Sequence, residues 1–273
     1  MSFLQAIILG IVQGATEFLP VSSSGHLIIF QNWMGLDTTA NSYLSFDVLL
    51  HVGTLIAVIL IFRKDVIGVI VAFFKMIFDL VTKGKLFLEK SDYRKLTAML
   101  FVASIPLVIG AFFQKYFDHF GQIYVAIALI VTGILLLLTD RFSKNAHKTL
   151  HTSNFKDSIV VGVSQLIAII PGLSRSGTTI FAGVATGLSK EFAVRFSFLL
   201  SAIAILGTAI FSIKGFDSGV VHTFGWQAFF GMLAAFIVGI IAIKWFLNII
   251  KKQKLTYLAC YCFLIAVLAI IFR

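Results

Sequence analysis

The fold is decided by two short runs: Glu17-Phe18-Leu19-Pro20-Val21-Ser22-Ser23-Ser24-Gly25-His26 and Pro171-Gly172-Leu173-Ser174-Arg175-Ser176-Gly177-Thr178-Thr179. Each interrupts an apolar region, 1–30 and 158–188, with Pro, Gly and hydroxyl residues that no continuous helix carries. The runs match each other. Gly10–Gly25 aligns without a gap on Gly162–Gly177, with Gly10/Gly162, Gln13/Gln165, Ser22/Ser174, Ser24/Ser176 and Gly25/Gly177 identical. Apolar arms on both sides of such a breaker predict a helix pair that enters and leaves on the same side of an apolar phase.

That phase is a bilayer. Of 273 residues, 59% are hydrophobic and 12% charged, with 29 Phe and 3 Pro. A soluble domain carries about 25% charged residues, so both a soluble enzyme and a disordered chain are excluded. Spans are predicted at 44–62, 97–113, 123–139, 192–213, 226–247 and 255–272. Segment 66–81, which contains Lys75 and Asp79, reads as an interfacial or cytoplasmic-side helix. Three spans separate the two breakers, and an odd number inverts the second copy. The predicted fold is therefore all-α integral membrane: six transmembrane helices plus two re-entrant helix pairs in an inverted-topology repeat. It forms one domain, 1–273, with repeats of approximately 1–139 and 158–273.

The net charge of +10 has a topological meaning in such a chain. Arg63, Lys64, Lys83, Lys85, Lys90, Arg94 and Lys95 form one basic group, Arg141, Lys144, Lys148 and Lys156 a second, and Lys244, Lys251, Lys252 and Lys254 a third. Placing these inside leaves Lys115, Lys214 and Arg273 outside and Arg175 within the membrane. The first Lys or Arg is Arg63, so the apolar start lacks the basic flank of a cleaved signal peptide. Cys260 and Cys262, two apart on one predicted helix, are packing thiols. No nucleic-acid partner is expected.

The chemistry sits at the breakers. Hydroxyl- and Gly-containing turns that open helices offer backbone N–H groups to anions, above all phosphate. The turns comprise Ser22, Ser23, Ser24 and Gly25 in the first repeat and Ser174, Ser176, Gly177, Thr178 and Thr179 in the second. The self-match superposes Ser23 on Arg175, a hydroxyl nucleophile on a guanidinium suited to bidentate phosphate contact. Glu17 and His26 flank the first turn, with His26 three residues after Ser23, where an imidazole can move a proton. Ionisable groups at membrane depth are costly, which marks them as functional. His51, inside the first full span, reads equally as a cavity-lining or a packing residue. Asp47, Glu191 and Arg195 read as interfacial, and His119, His147, His151 and His222 as solvated.

From Gln13 to His26 and from Pro171 to Thr179 the sequence resembles the two signature motifs of the bacterial undecaprenyl pyrophosphate phosphatase family (BacA/UppP, bacitracin resistance). Length, order and spacing fit over the whole chain. The family pattern opens with Glu or Gln four residues before Glu. Here the first member is Gln13, which is neither an acid/base nor an anionic ligand, so those roles fall to Glu17. The resemblance implies hydrolysis of undecaprenyl pyrophosphate to undecaprenyl phosphate, recycling the lipid carrier of peptidoglycan synthesis in a bacterial inner membrane. It implies Ser23 as nucleophile, Glu17 and His26 in the site, and Ser174, Arg175 and Thr179 on the pyrophosphate.

The expected mechanism has Arg175 and the Ser174–Gly177 turn hold the diphosphate while Ser23 attacks and His26, supported by Glu17, moves the proton; direct attack by water is the alternative. A divalent cation (Mg or Ca) is compatible with a diphosphate, with Glu17 its best ligand. No organic cofactor is expected. The partners are the polyprenyl diphosphate and the bilayer, with a homodimer left open. A lipid-phosphate transporter or flippase built on the same inverted-repeat pocket is the competing reading.

Overall fold

The computed structural model describes residues 1–36, 41–111, 121–212, 225–251 and 255–272. Lys115, His119, Lys214, His222, Lys252, Lys254 and Arg273, assigned above from charge or sequence position, lie outside them. Among the described residues eleven α-helices follow in order: α1 Phe3–Thr16, α2 Ser23–Trp33, α3 Asn41–Ile61, α4 Arg63–Lys83, α5 Asp92–Ala111, α6 Gln122–Phe142, α7 Phe155–Ile167, α8 Arg175–Ala185, α9 Lys190–Ser212, α10 Trp226–Lys251 and α11 Thr256–Ile271. Two short 3₁₀ turns complete the set, and there is no strand among the described residues, only a single bridge between Lys148 and Leu188.

Helices at α5, α6, α9 and α10 are long and apolar enough to cross a bilayer, within Asp92–Gly110, Gln122–Asn145, Lys190–Ser212 and Trp226–Lys251. The apolar stretches Ser45–Ile61 in α3 and Thr256–Ile271 in α11 are shorter, as is α1. Ile67, Ile70, Phe74, Phe78 and Val81 leave α4 with a broad exposed apolar surface. That helix is tied back to α5 where Asp79 accepts from Lys83 and Arg94, both at 2.7 Å. The Lys83 and Arg94 hydrogen bonds, in that order, hold the Asp79 carboxyl down at about 2.

Both breakers interrupt their helices at the expected places, between α1 and α2 and between α7 and α8. Each second helix opens with a Ser cap: Ser22 Oγ accepts from Gly25 N at 3.2 Å and Ser174 Oγ from Gly177 N at 3.1 Å. The two turns lie against each other, and their contacts are reciprocal. Gly25 approaches Gly172 of the other turn, and Gly177, its equivalent, approaches Pro20, the equivalent of Gly172. Ser24 Oγ accepts from Gly172 N, and its equivalent Ser176 donates to Leu19 O, both at 3.4 Å.

The same reciprocity runs through the bundle. α1 packs on α10 as α7 packs on α5, and α6 pairs with α11 and α3 with α9. The close approach of α7 to α5 depends on a missing side chain. A Cβ on Gly162 would stand 2.5 Å from Ala103 O, and its equivalent Gly10 meets Gly231 of α10 still more closely. Phe18, fully buried, seats the first turn in the largest core cluster, edge-on to Phe198 at 5.2 Å.

Candidate active site

The first residue of α2 is Ser23 and the first residue of α8 is Arg175. Equivalent helix starts therefore present a hydroxyl and a guanidinium to the space between the turns. Between them stands Glu17, one residue past the end of α1, its carboxylate almost wholly covered.

The Glu17 carboxylate organises the site. Its Oε2 accepts from Ser23 Oγ at 2.6 Å and from Gln13 Nε2 at 2.9 Å, one helical turn back. The other oxygen lies 3.9 Å from Arg175 NH1. That guanidinium nitrogen is itself buried and has no hydrogen-bond partner among the described residues, so the cation is held at the site with donor capacity to give. The N–H groups of Ser23, Ser24, Arg175 and Ser176 point from two helix N-termini, and no protein acceptor is described for them. Two helix starts, a guanidinium and a hydroxyl form a receptor for an anion with several oxygens.

His51 completes the group. It comes from α3 and carries Nε2 to 3.6 Å from Glu17 Oε2. Its Nδ1 lies 2.8 Å from Asp47 O. A carbonyl only accepts, so Nδ1 bears the hydrogen, and Nε2 is the nitrogen that faces Glu17. Asp47, a turn earlier on α3, takes both Gln31 Nε2 hydrogen bonds, at 2.9 and 3.2 Å. Sequence reasoning left His51 equally a cavity-lining or a packing residue. Its only signal was an imidazole inside an apolar helix.

His26 is placed differently from the expectation. Its Nδ1 is 2.7 Å from Ser22 O and its Nε2 is 2.9 Å from the hydroxyl of Tyr261 on α11, with the two rings stacked at 5.5 Å. Both nitrogens are thereby directed away from Glu17, and His26 braces the Ser22 turn against α11. The reason is local: with Ser22 as N-cap, the first-turn side chain of His26 folds back to the cap carbonyl.

The remaining hydroxyls also have internal partners. Ser22 and Ser174 cap their helices. Thr178 Oγ1 donates to Ser174 O at 2.8 Å, and Thr179 Oγ1 bonds Arg175 O and Ser197 Oγ. Ser174 N donates to Thr132 Oγ1 of α6 at 3.1 Å. These residues set the position of Arg175 and the α8 N-terminus. Gln165, the equivalent of Gln13, is buried without a hydrogen-bond partner among the described residues, because Ile169 stands where the first repeat has Glu17. The duplicated frame thus carries a carboxylate on one side only.

Residues 6–268 match the family described as "Bacitracin resistance protein BacA". The chain belongs to this family. Among its curated relatives, "Undecaprenyl-diphosphatase" of Methanobrevibacter smithii is 44% identical over 98% of this chain and 96% of its own length. "Undecaprenyl-diphosphatase 1" of Shouchella clausii is 41% identical over 100% and 97%. "Undecaprenyl-diphosphatase" of Alkaliphilus metalliredigens is 40% identical over 100% and 99%. Family membership and the apolar helices together make the chain a multi-pass membrane protein.

Among the described residues there is no group of three or more His, Cys, Asp or Glu side chains arranged to hold a metal ion. Glu17 already receives Gln13 and Ser23 donors and faces two cationic or protonatable groups. This donor-rich surrounding does not fit a resident divalent cation.

Proposed function

We propose that the chain is an undecaprenyl-diphosphatase that releases the terminal phosphate of undecaprenyl diphosphate by double displacement through Ser23. The observation that carries this reading is the 2.6 Å hydrogen bond from Ser23 to Glu17 beside the unpartnered Arg175 nitrogen. A nucleophile within hydrogen-bond reach of its base, and a base oriented by further groups, is the arrangement covalent catalysis requires.

In the first step the Ser23 Oγ–P bond forms as the bridging P–O bond breaks. The bond's electron pair leaves on undecaprenyl phosphate, and the Ser23 proton passes to Glu17. Arg175 and the N–H groups at the α2 and α8 starts stabilise charge on the transferring phosphoryl. In the second step the oxygen of a water bonds to phosphorus, the P–Oγ bond breaks, Glu17 returns a proton to Oγ, and the water's proton replaces it on the carboxylate, which sheds it to solvent as phosphate leaves and so regenerates the resting site. Glu17 with His51 thus takes the proton-moving role that the sequence suggested for His26. Gln13, Glu17, Ser23, His51 and Arg175 come from one chain, so the chemistry does not require two copies.

We further propose that the bundle is six spans with two re-entrant pairs in an inverted repeat, in a bacterial plasma membrane. The reciprocal packing of the two turns and of α1/α10 and α7/α5 supports this, as does the clustering of basic residues in alternate loops. Recycling of the lipid carrier follows from the reaction. That same reciprocity favours, as a second reading, movement of the lipid phosphate between leaflets. Phosphate release by purified protein in detergent, where no leaflets exist, separates the two. Ser23→Ala is the test of the hydrolytic step: turnover should fall by at least three orders of magnitude, and near-normal turnover would remove the nucleophile.

A further inference from the structure

A cavity of about 590 Å³ opens where α3 meets α4, and none of its lining residues belongs to either turn. Its rim carries Arg63 and Lys64 at the start of α4 and Lys244 from α10. All three are exposed, and none forms an ion pair with another described residue. The one acid in the lining, Asp65, is already neutralised: Arg195 of α9 grips both its oxygens, at 2.5 and 3.0 Å, and Tyr93 donates to it as well. The cavity therefore presents three uncompensated positive charges.

Its wall is apolar. Ile240 lies one helical turn before Lys244 on the same face of α10, and Phe62 closes the α3–α4 junction. Phe62 packs on Phe198, which packs on Phe18. A layer of aromatic rings thus separates this cavity from Glu17.

We propose that this cavity is a second binding site, for the anionic phosphate headgroup of a membrane lipid. The three cations would meet the phosphate, and the Phe62–Ile240 wall the first methylenes of the chains. Basic pockets between membrane helices hold such headgroups. Two sources share the chemistry: an ordinary anionic phospholipid and a polyprenyl monophosphate.

The test is native mass spectrometry of the intact protein titrated with dioleoylphosphatidylglycerol, dioleoylphosphatidylcholine or a polyprenyl monophosphate. The comparison is between Arg63→Gln/Lys64→Gln/Lys244→Gln and a control of equal charge change, Arg141→Gln/Lys144→Gln/Lys156→Gln. At roughly five-fold per basic residue, the cavity variant should lose about 100-fold in affinity for the retained anionic lipid. Lys244→Gln alone should lose about five-fold and the control less than two-fold, with hydrolytic turnover unchanged in all three. Loss confined to phosphatidylglycerol, or to a polyprenyl monophosphate bound beyond the active-site copy, identifies the source. Retention of neither lipid above phosphatidylcholine, or equal loss in the control, would overturn the site.

Discussion

Replacing Glu17 by Gln separates the role of its carboxylate from the space it fills. The amide keeps the size of the side chain and a carbonyl that can accept from Ser23. It cannot take the Ser23 proton, and its NH₂ cannot hold the place of the oxygen that faces Arg175 at 3.9 Å. General-base catalysis contributes about 10²–10⁴-fold, so kcat should fall by that factor, roughly 3–5 kcal/mol in the barrier. The Michaelis constant should fall as well or stay constant. Glu17 competes with the diphosphate for Arg175, and neutralising it frees the guanidinium and removes a like charge from the pocket. The assay is phosphate release from undecaprenyl diphosphate in detergent across a substrate series, giving kcat and KM separately. A variant with kcat within ten-fold of the parent would refute Glu17 as the base. A large rise in KM with kcat intact would assign the carboxylate to substrate positioning instead.

Three further outcomes follow from the same geometry. Arg175→Lys should lower kcat/KM by about 10²–10³-fold, since an ammonium cannot donate through a planar fork; steady-state kinetics reads this directly. Gly162→Val should weaken the α5–α7 seam, because the new Cβ would sit 2.5 Å from Ala103 O; overpacking of this kind costs about 1–3 kcal/mol, visible as a lower Tm in detergent. Asp79 has its carboxyl held at about 2 by Lys83 and Arg94. A carboxylate with a depressed native value stabilises fully above its unfolded value of about 4, and that contribution is lost as pH falls through 2. The Tm difference between the parent and Asp79→Asn should therefore be largest above pH 4 and shrink towards pH 2.

Much of this arrangement is written in the two breakers, because Pro, Gly and runs of Ser have few ways to sit in an apolar segment. Their self-match places Ser23 and Arg175 at equivalent helix starts, and the structure realises that equivalence residue for residue. The hydropathy pattern likewise locates the helices to within a few residues. What sequence could not reach was side-chain direction. Three residues from Ser23, His26 has the spacing to face it, yet the cap carbonyl of Ser22 and the hydroxyl of Tyr261, 235 positions away, take both ring nitrogens. The hydroxyl of Thr179 is drawn into its own helix and to Ser197. His51 reaches Glu17 only because α3 packs along α1, and no local pattern encodes that contact.

The stereochemical course at the terminal phosphorus tests the covalent step most directly. A substrate whose terminal phosphoryl is made chiral with sulfur and oxygen isotopes is hydrolysed in isotopic water, and the configuration of the released thiophosphate is read. Two in-line displacements, first by Ser23 and then by water, give overall retention, which is the expected result. Inversion would mean a single displacement by water and would contradict Ser23 as the nucleophile.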